Sequence, residues 1–169
     1  MLKLAVGYSL SSFFFGLFGV DWEAIDEKIE KNYPAVGFIS TDELARQYDS
    51  ASQPVIVDVR EPKEFAVSHL GSAENLETSA AIASRFPDRH TPIVVYCSVG
   101  YRSAAVASEL ADMGYRNVLN LRHSIFEWAE KGYQLENGRG TTEKIHPYNR
   151  VWGALVREDL HAYAPDPAP

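Results

Sequence analysis

The chain has 169 residues, 46% of them hydrophobic and 12% aromatic. That is enough apolar side chain for one domain with extensions, and it excludes disorder throughout. A net charge of −7 with no long Lys/Arg run argues against a nucleic-acid groove. A single cysteine cannot form an internal disulfide. The five histidines (His69, His90, His123, His146 and His161) stand at no ligand spacing from one another or from that cysteine, so neither a metal site nor a cofactor is expected.

The first stretch, MLKLAVGYSLSSFFFGLFGV, is apolar from Leu4 to Val20 after one lysine and ends at acidic DWEAIDE. It resembles a signal peptide or a short membrane anchor. A bilayer span needs about 20 apolar residues, and this one is diluted by Gly7, Ser9, Ser11, Ser12, Gly16 and Gly19. It also lacks a clean small-x-small cleavage site. Anchoring or export stands beside a cytoplasmic chain whose first helix packs on the domain or on a partner. As an anchor, Lys3 before it and acid after it favour a domain outside the cytoplasm.

The remaining elements follow in order. Trp22 to Lys31 reads as an acidic helix and NYPAVGF as a linker or extended piece. ISTDELARQY reads as a helix opened by Ser40 and Glu43, which have capping-box spacing. PVIVDV is a β-branched run and therefore a buried strand. REPKEFAVSH has Pro62 where a helix start tolerates it. SAENL reads as a short strand and TSAAIASRF as a helix closed by Pro87. PIVVYC is the second β-branched strand, SAAVASELADMG a helix ended by Gly114, NVLNL a strand, and SIFEWAEKG a helix ended by Gly132. Alternation of this kind predicts an α/β domain with a mostly parallel sheet flanked by helices. The boundaries expected are residues 1–37 for the apolar segment and acidic helix and 38–136 for the domain. Residues 137–169 form an extension in which VWGALVREDLHAY is a further helix and APDPAP is frayed.

In such sheets function gathers at the carboxyl ends of strands, and Cys97 lies at one of them. The stretch CSVGYRS passes from strand to helix. Its backbone amides and the positive end of the helix dipole face one point, and Arg102 adds a full charge. Both favour a thiolate, which is the nucleophilic form. Gly100 lets the backbone curl into a cradle in which the amides of Ser98 to Ser103 hold an anion. A lone cysteine at a strand end is more commonly a small buried hydrophobe. Glycine and arginine at these offsets, between an apolar strand and an Ala-rich helix, are hard to attribute to packing alone.

Several blocks, in order, resemble the rhodanese (sulfurtransferase) family over about 100 residues: VIVDVREPKEF, HLGSAENL, PIVVYCSVGYRS, MGYRNVLNL and FEWAEKGYQL. The resemblance implies a rhodanese-like α/β domain and a cysteine that takes sulfane sulfur from thiosulfate or a persulfide donor. That cysteine stores the sulfur as a persulfide and passes it to a thiol or cyanide. By position it is Cys97. Ser98, Val99, Gly100, Tyr101 and Arg102 then surround the persulfide, and Ser103 starts the helix behind it. Four residues separate Cys97 from Arg102. Phosphatases and arsenate reductases of the same fold have a loop one residue longer, so the length here favours sulfur over phosphate or arsenate. A non-catalytic binding or scaffold module, membrane-tethered through Leu4 to Val20 where that segment is an anchor, is the second reading, kept open by the two extensions.

Two positions depart from the family's pattern. Arg122, His123 and Ser124 stand where a Gly-Gly pair is common, which implies a reshaped turn near the pocket rim. Ser98 lacks the basic side chain of some thiosulfate-using members, which weakens the case for thiosulfate as donor. Arg60 either attracts an anionic donor or pairs with Asp58 or Glu64. Asp58 is expected to cap neighbouring amides, His69 to hold its turn, and Trp128 to lie in the core. Tyr101 either lines the pocket or serves as a lid. Trp22 and Trp152 either pack the extensions onto the domain or mark a partner surface. Arg102→Ala is expected to slow the donor step more than it disturbs stability.

Overall fold

The computed structural model describes residues 21–48 and 53–165. The apolar segment from Leu4 to Val20 and its expected anchoring lie outside the described residues. Among the described residues no helix is long and apolar enough to cross a membrane.

Strands β1 (Gly37–Ile39), β2 (Val55–Asp58), β4 (Glu74–Asn75), β5 (Ile93–Tyr96) and β6 (Val118–Leu121) form a sheet in the order β1-β6-β5-β2-β4. Every pairing in it is parallel. A sheet covered on both faces needs strands that are apolar throughout, which is why β2 and β5 read as continuous β-branched runs. Alternate side chains divide between two cores. Ile56, Val94 and Tyr96 face helices α1 (Trp22–Asn32), α2 (Thr41–Gln47) and α6 (Ser124–Glu130). Val57, Ile93, Val95 and Cys97 face α4 (Ser79–Arg85) and α5 (Tyr101–Asp112). The expected α/β fold is therefore observed, with Cys97 one residue beyond β5 at the carboxyl edge.

The Ser40–Glu43 capping box opens α2 as expected, and Pro62 opens α3 (Pro62–Val67). The stretch NYPAVGF does more than link: it ends in edge strand β1, which pairs with β6. A second sheet, β3-β7-β8, joins β3 (His69–Leu70) to a hairpin of β7 (Leu135–Asn137) and β8 (Gly140–Thr142). The strands of this second sheet are two or three residues long and carry too little alternation to be read from sequence.

The helix expected over VWGALVREDLHAY is not continuous. It divides into α7 (Arg150–Gly153) and a 3-10 turn at Glu158–Leu160. Two contacts break it. Ile145 bridges His161, which folds the segment back on itself. Gly153 lies so close to that fold that a Cβ there would stand 3.0 Å from His161 and 3.1 Å from Pro147. Ile145, Val156 and Leu160 are buried and fasten the extension to the main core. At about 1.5–3 kcal/mol per buried aliphatic side chain, these three hold it firmly in place.

Candidate active site

Beyond β5 the chain turns through Ser98, Val99 and Gly100 into α5. Gly100 caps the helix with φ +103°, a conformation that L side chains rarely adopt, and its amide points at Cys97 Sγ from 3.2 Å. The thiol is almost wholly buried. Burial pushes its pKa up. The Arg102 charge, the Ser103 hydroxyl and amide, and the Gly100 amide outweigh that, so the thiol is held below its ordinary value. Among the described residues the buried Ser103 hydroxyl makes no other hydrogen bond.

The sign follows from the thiolate being the favoured form in the fold. Its contribution to stability is present at high pH and is lost as pH falls through the lowered pKa. The thiolate absorbance of the native protein, taken as the difference from Cys97→Ser, should therefore titrate below a free thiol. A midpoint at or above the free-thiol value overturns this.

Arg102 reaches over the loop. Its Nη1 and Nη2 donate to the two Glu64 carboxylate oxygens, each at 2.9 Å, and Nη2 also donates to Ser98 Oγ at 3.1 Å. Glu64 is fully buried. Burial raises its pKa, but the Arg102 fork, the Glu61 amide and the Arg60 charge bring it below its ordinary value. Ser98 donates to Glu64 at 3.2 Å, so its hydroxyl is turned away from the thiol.

Arg60 does not reach the pocket. It is fully buried, locked to Asp58 through Nε and Nη2, with Nη2 also donating to the Ser68 carbonyl at 2.6 Å. Of its two expected roles, the ion pair with Asp58 is the one observed. Asp58 also caps the Arg60 amide at 2.9 Å, the task expected of it. His69 contacts the Phe65 carbonyl through Nδ1, and Trp128 is buried.

The Arg122-His123-Ser124 turn explains the missing glycines. His123 and Ser124 have φ of +57° and +50°, where glycine is unstrained. Side-chain contacts offset that strain. His123 lies against Glu127 at 3.0 Å and Asp26 at 3.2 Å, and Ser124 Oγ accepts from the Cys97 amide at 3.1 Å while donating to the Leu121 carbonyl at 3.0 Å. Next to it, the Ile125 and Phe126 amides donate to the carbonyls of Cys97 and Ser98. The start of α6 thus fixes the backbone of Cys97.

Ser124→Ala leaves the buried Cys97 N–H without its acceptor. It should cost about 1–3 kcal/mol, a fall in Tm of about 2–4 °C per kcal/mol, with faster hydrogen exchange at that amide. A native melting curve and native exchange rate would show that the contact carries no weight.

Cys97 forms the floor of a cavity of about 190 Å³ walled by Ser98, Val99, Tyr101, Arg102, Tyr148 and Trp152. Tyr101 does line it, held from outside by Asn32 Nδ2 at 2.9 Å and Lys28 Nζ at 4.8 Å from its ring centroid, both on α1. Tyr148 and Trp152, from the extension, are the wall residues that sequence reasoning missed, together with the Glu64 partner of Arg102. The available signal was an aromatic pair flanking Asn149, whose side chain caps α7.

A buried thiol under an amide-lined turn, at the carboxyl edge of a parallel sheet, defines a cysteine-loop α/β protein. The family model described as Rhodanese-like domain matches residues 40–131, and the chain belongs to that family. Thiosulfate sulfurtransferase GlpE of Pseudomonas fluorescens is 31% identical over 90 residues, 53% of this chain and 82% of that protein. A sulfurtransferase of Allochromatium vinosum is 31% identical over 99 residues, 57% of this chain and 92% of its own. Among solved structures, thiosulfate sulfurtransferase from Pseudomonas aeruginosa superposes with a TM-score of 0.60 at 24% identity. The match covers 78% of this chain and 26% of that one, so this chain spans about a quarter of that protein.

Proposed function

We propose that this protein is a rhodanese-type sulfurtransferase in which Cys97 carries sulfane sulfur. The observation that supports it is the position of Sγ, under the Gly100 and Ser103 amides and beside Arg102, at the base of an open cavity. In the first half-reaction the Cys97 thiolate attacks the outer sulfur of the donor. A Cys97–S–S⁻ bond forms, the donor S–S bond breaks, and its electron pair leaves on sulfite or on a thiolate. The loop amides and the α5 N-terminus stabilise the persulfide anion where the thiolate charge stood. In the second, a thiol or cyanide attacks the outer sulfur and Cys97 recovers its thiolate. Ser98 to Ser103 form the substrate cradle. The four-residue separation of Cys97 and Arg102 suits one sulfur atom better than a tetrahedral oxyanion.

Intact mass after incubation with a sulfane donor tests this. A gain of one sulfur atom, reversed by cyanide, is the expected result. No gain with thiosulfate or with glutathione persulfide would overturn it and leave the binding-module reading.

A further inference from the structure

The three aromatic walls of the cavity come from separate parts of the chain. Tyr101 belongs to the loop, whereas Tyr148 and Trp152 belong to the extension, beyond residues 40–131 matched by the family model. Tyr148 is held deliberately. Its φ is +63°, and its amide donates to Nδ1 of the buried His146 at 3.1 Å. Burial pushes the His146 pKa down, which favours the neutral ring that can accept this bond. Trp152 is partly buried against the main core, and its amide is capped by Asn149.

The charge in the cavity is smaller than the sequence implies. Both terminal nitrogens of Arg102 donate to the Glu64 carboxylate. The Tyr148 ring covers the guanidinium, whose central carbon lies 4.9 Å from the ring centroid. Ser98 brings no second cation to the loop, and its hydroxyl faces Glu64. A dianion such as thiosulfate therefore gives up its hydration for one arginine already paired with Glu64, a poor exchange. A donor with one negative charge on its terminal sulfur and an apolar group behind it fits both halves of the site. The anion meets the loop amides and the apolar group meets Tyr101, Tyr148 and Trp152. The space is adequate, since a cavity of about 150 Å³ takes benzene and this one has about 190 Å³.

We infer that the C-terminal extension makes Tyr148 and Trp152 specificity determinants for a monoanionic sulfane-sulfur donor carrying an aryl or alkyl group, in preference to inorganic thiosulfate. The inference rests on the sulfur-transfer reading above and names its donor class. In the loading step, R–SO2–S⁻ or R–S–S⁻ gives its outer sulfur to the Cys97 thiolate. The donor S–S bond breaks, and R–SO2⁻ or R–S⁻ leaves with the electron pair.

The test compares benzenethiosulfonate with thiosulfate on the full chain, with cyanide as common acceptor. The two share the sulfur transferred and differ in charge and in the phenyl group. kcat/KM should favour benzenethiosulfonate by about tenfold or more, the scale of one apolar contact in a pocket. Trp152→Ala should lower that preference by about tenfold, and Trp152→Phe should restore most of it. Tyr148→Gly removes the ring at a position whose φ suits glycine, so it keeps the comparison available if Trp152→Ala disturbs the extension. A native enzyme that prefers thiosulfate, or a preference unmoved by either ring deletion, overturns the assignment. Calorimetric titration of both donors into Cys97→Ser separates this from failure of the chemistry. Tighter binding of benzenethiosulfonate without persulfide formation in the native protein would sustain the aromatic mouth and overturn sulfur transfer.

Discussion

Cys97→Ser is expected to reduce sulfur transfer to the uncatalysed background, a loss of at least about 10³-fold, and to abolish the gain of one sulfur atom in intact mass. The chain has one cysteine, so no second thiol can take over. A serine hydroxyl cannot replace it, because the charge at this point is set for a thiolate and an alcohol stays protonated there. The fold should survive. The hydroxyl is nearly isosteric and can accept from the Gly100 amide that now approaches Sγ. A change within about 1 kcal/mol is expected, or about 2–4 °C in Tm. Turnover by a folded Cys97→Ser protein would remove the persulfide from the mechanism.

The parallel sheet was legible because its central strands are buried on both faces, so β2 and β5 announce themselves by composition alone. The loop was legible because its chemistry is local: Cys97, Gly100 and Arg102 lie within six consecutive positions. What surrounds the loop was not. Glu64 stands 38 positions from Arg102 and Trp152 stands 55 from Cys97, and no local pattern records which of many carboxylates or aromatics closes on a given residue. Arg60 shows the opposite case. Its true partner is two residues away and was among the options, yet only burial decides between an ion pair and a donor site. The extension misled because a helical apolar pattern over 13 residues says nothing of the Ile145–His161 bridge that folds it back. The departure from Gly-Gly, by contrast, was a usable signal. It marked two left-handed residues whose side chains now hold the Cys97 amide and bind α1 to α6.

Arg102→Ala should disturb both stability and sulfur loading, against the sequence expectation that it acts mainly on the donor step. Its removal strands the fully buried Glu64 carboxylate. Losing one partner of such a pair costs about 3 kcal/mol or more, equivalent to a fall in Tm of roughly 6–12 °C. The deficit depends on pH in a definite direction. Without the guanidinium, burial raises the Glu64 pKa above its unfolded value, so stability falls as pH rises through that interval. The variant should be nearest to the native protein in acid and furthest from it at neutral pH. The second consequence is chemical. The Arg102 charge is the largest of the influences that lower the Cys97 pKa, so the thiolate midpoint should rise and sulfur loading at neutral pH should slow. Glu64→Gln on the Arg102→Ala background separates the two effects. The neutral amide removes the stranded charge and should recover most of the lost stability, while the thiolate midpoint and loading rate stay as in Arg102→Ala. Recovery of both together would mean that Arg102 serves Cys97 only by keeping the loop folded. Recovery of stability alone assigns its charge directly to the thiolate.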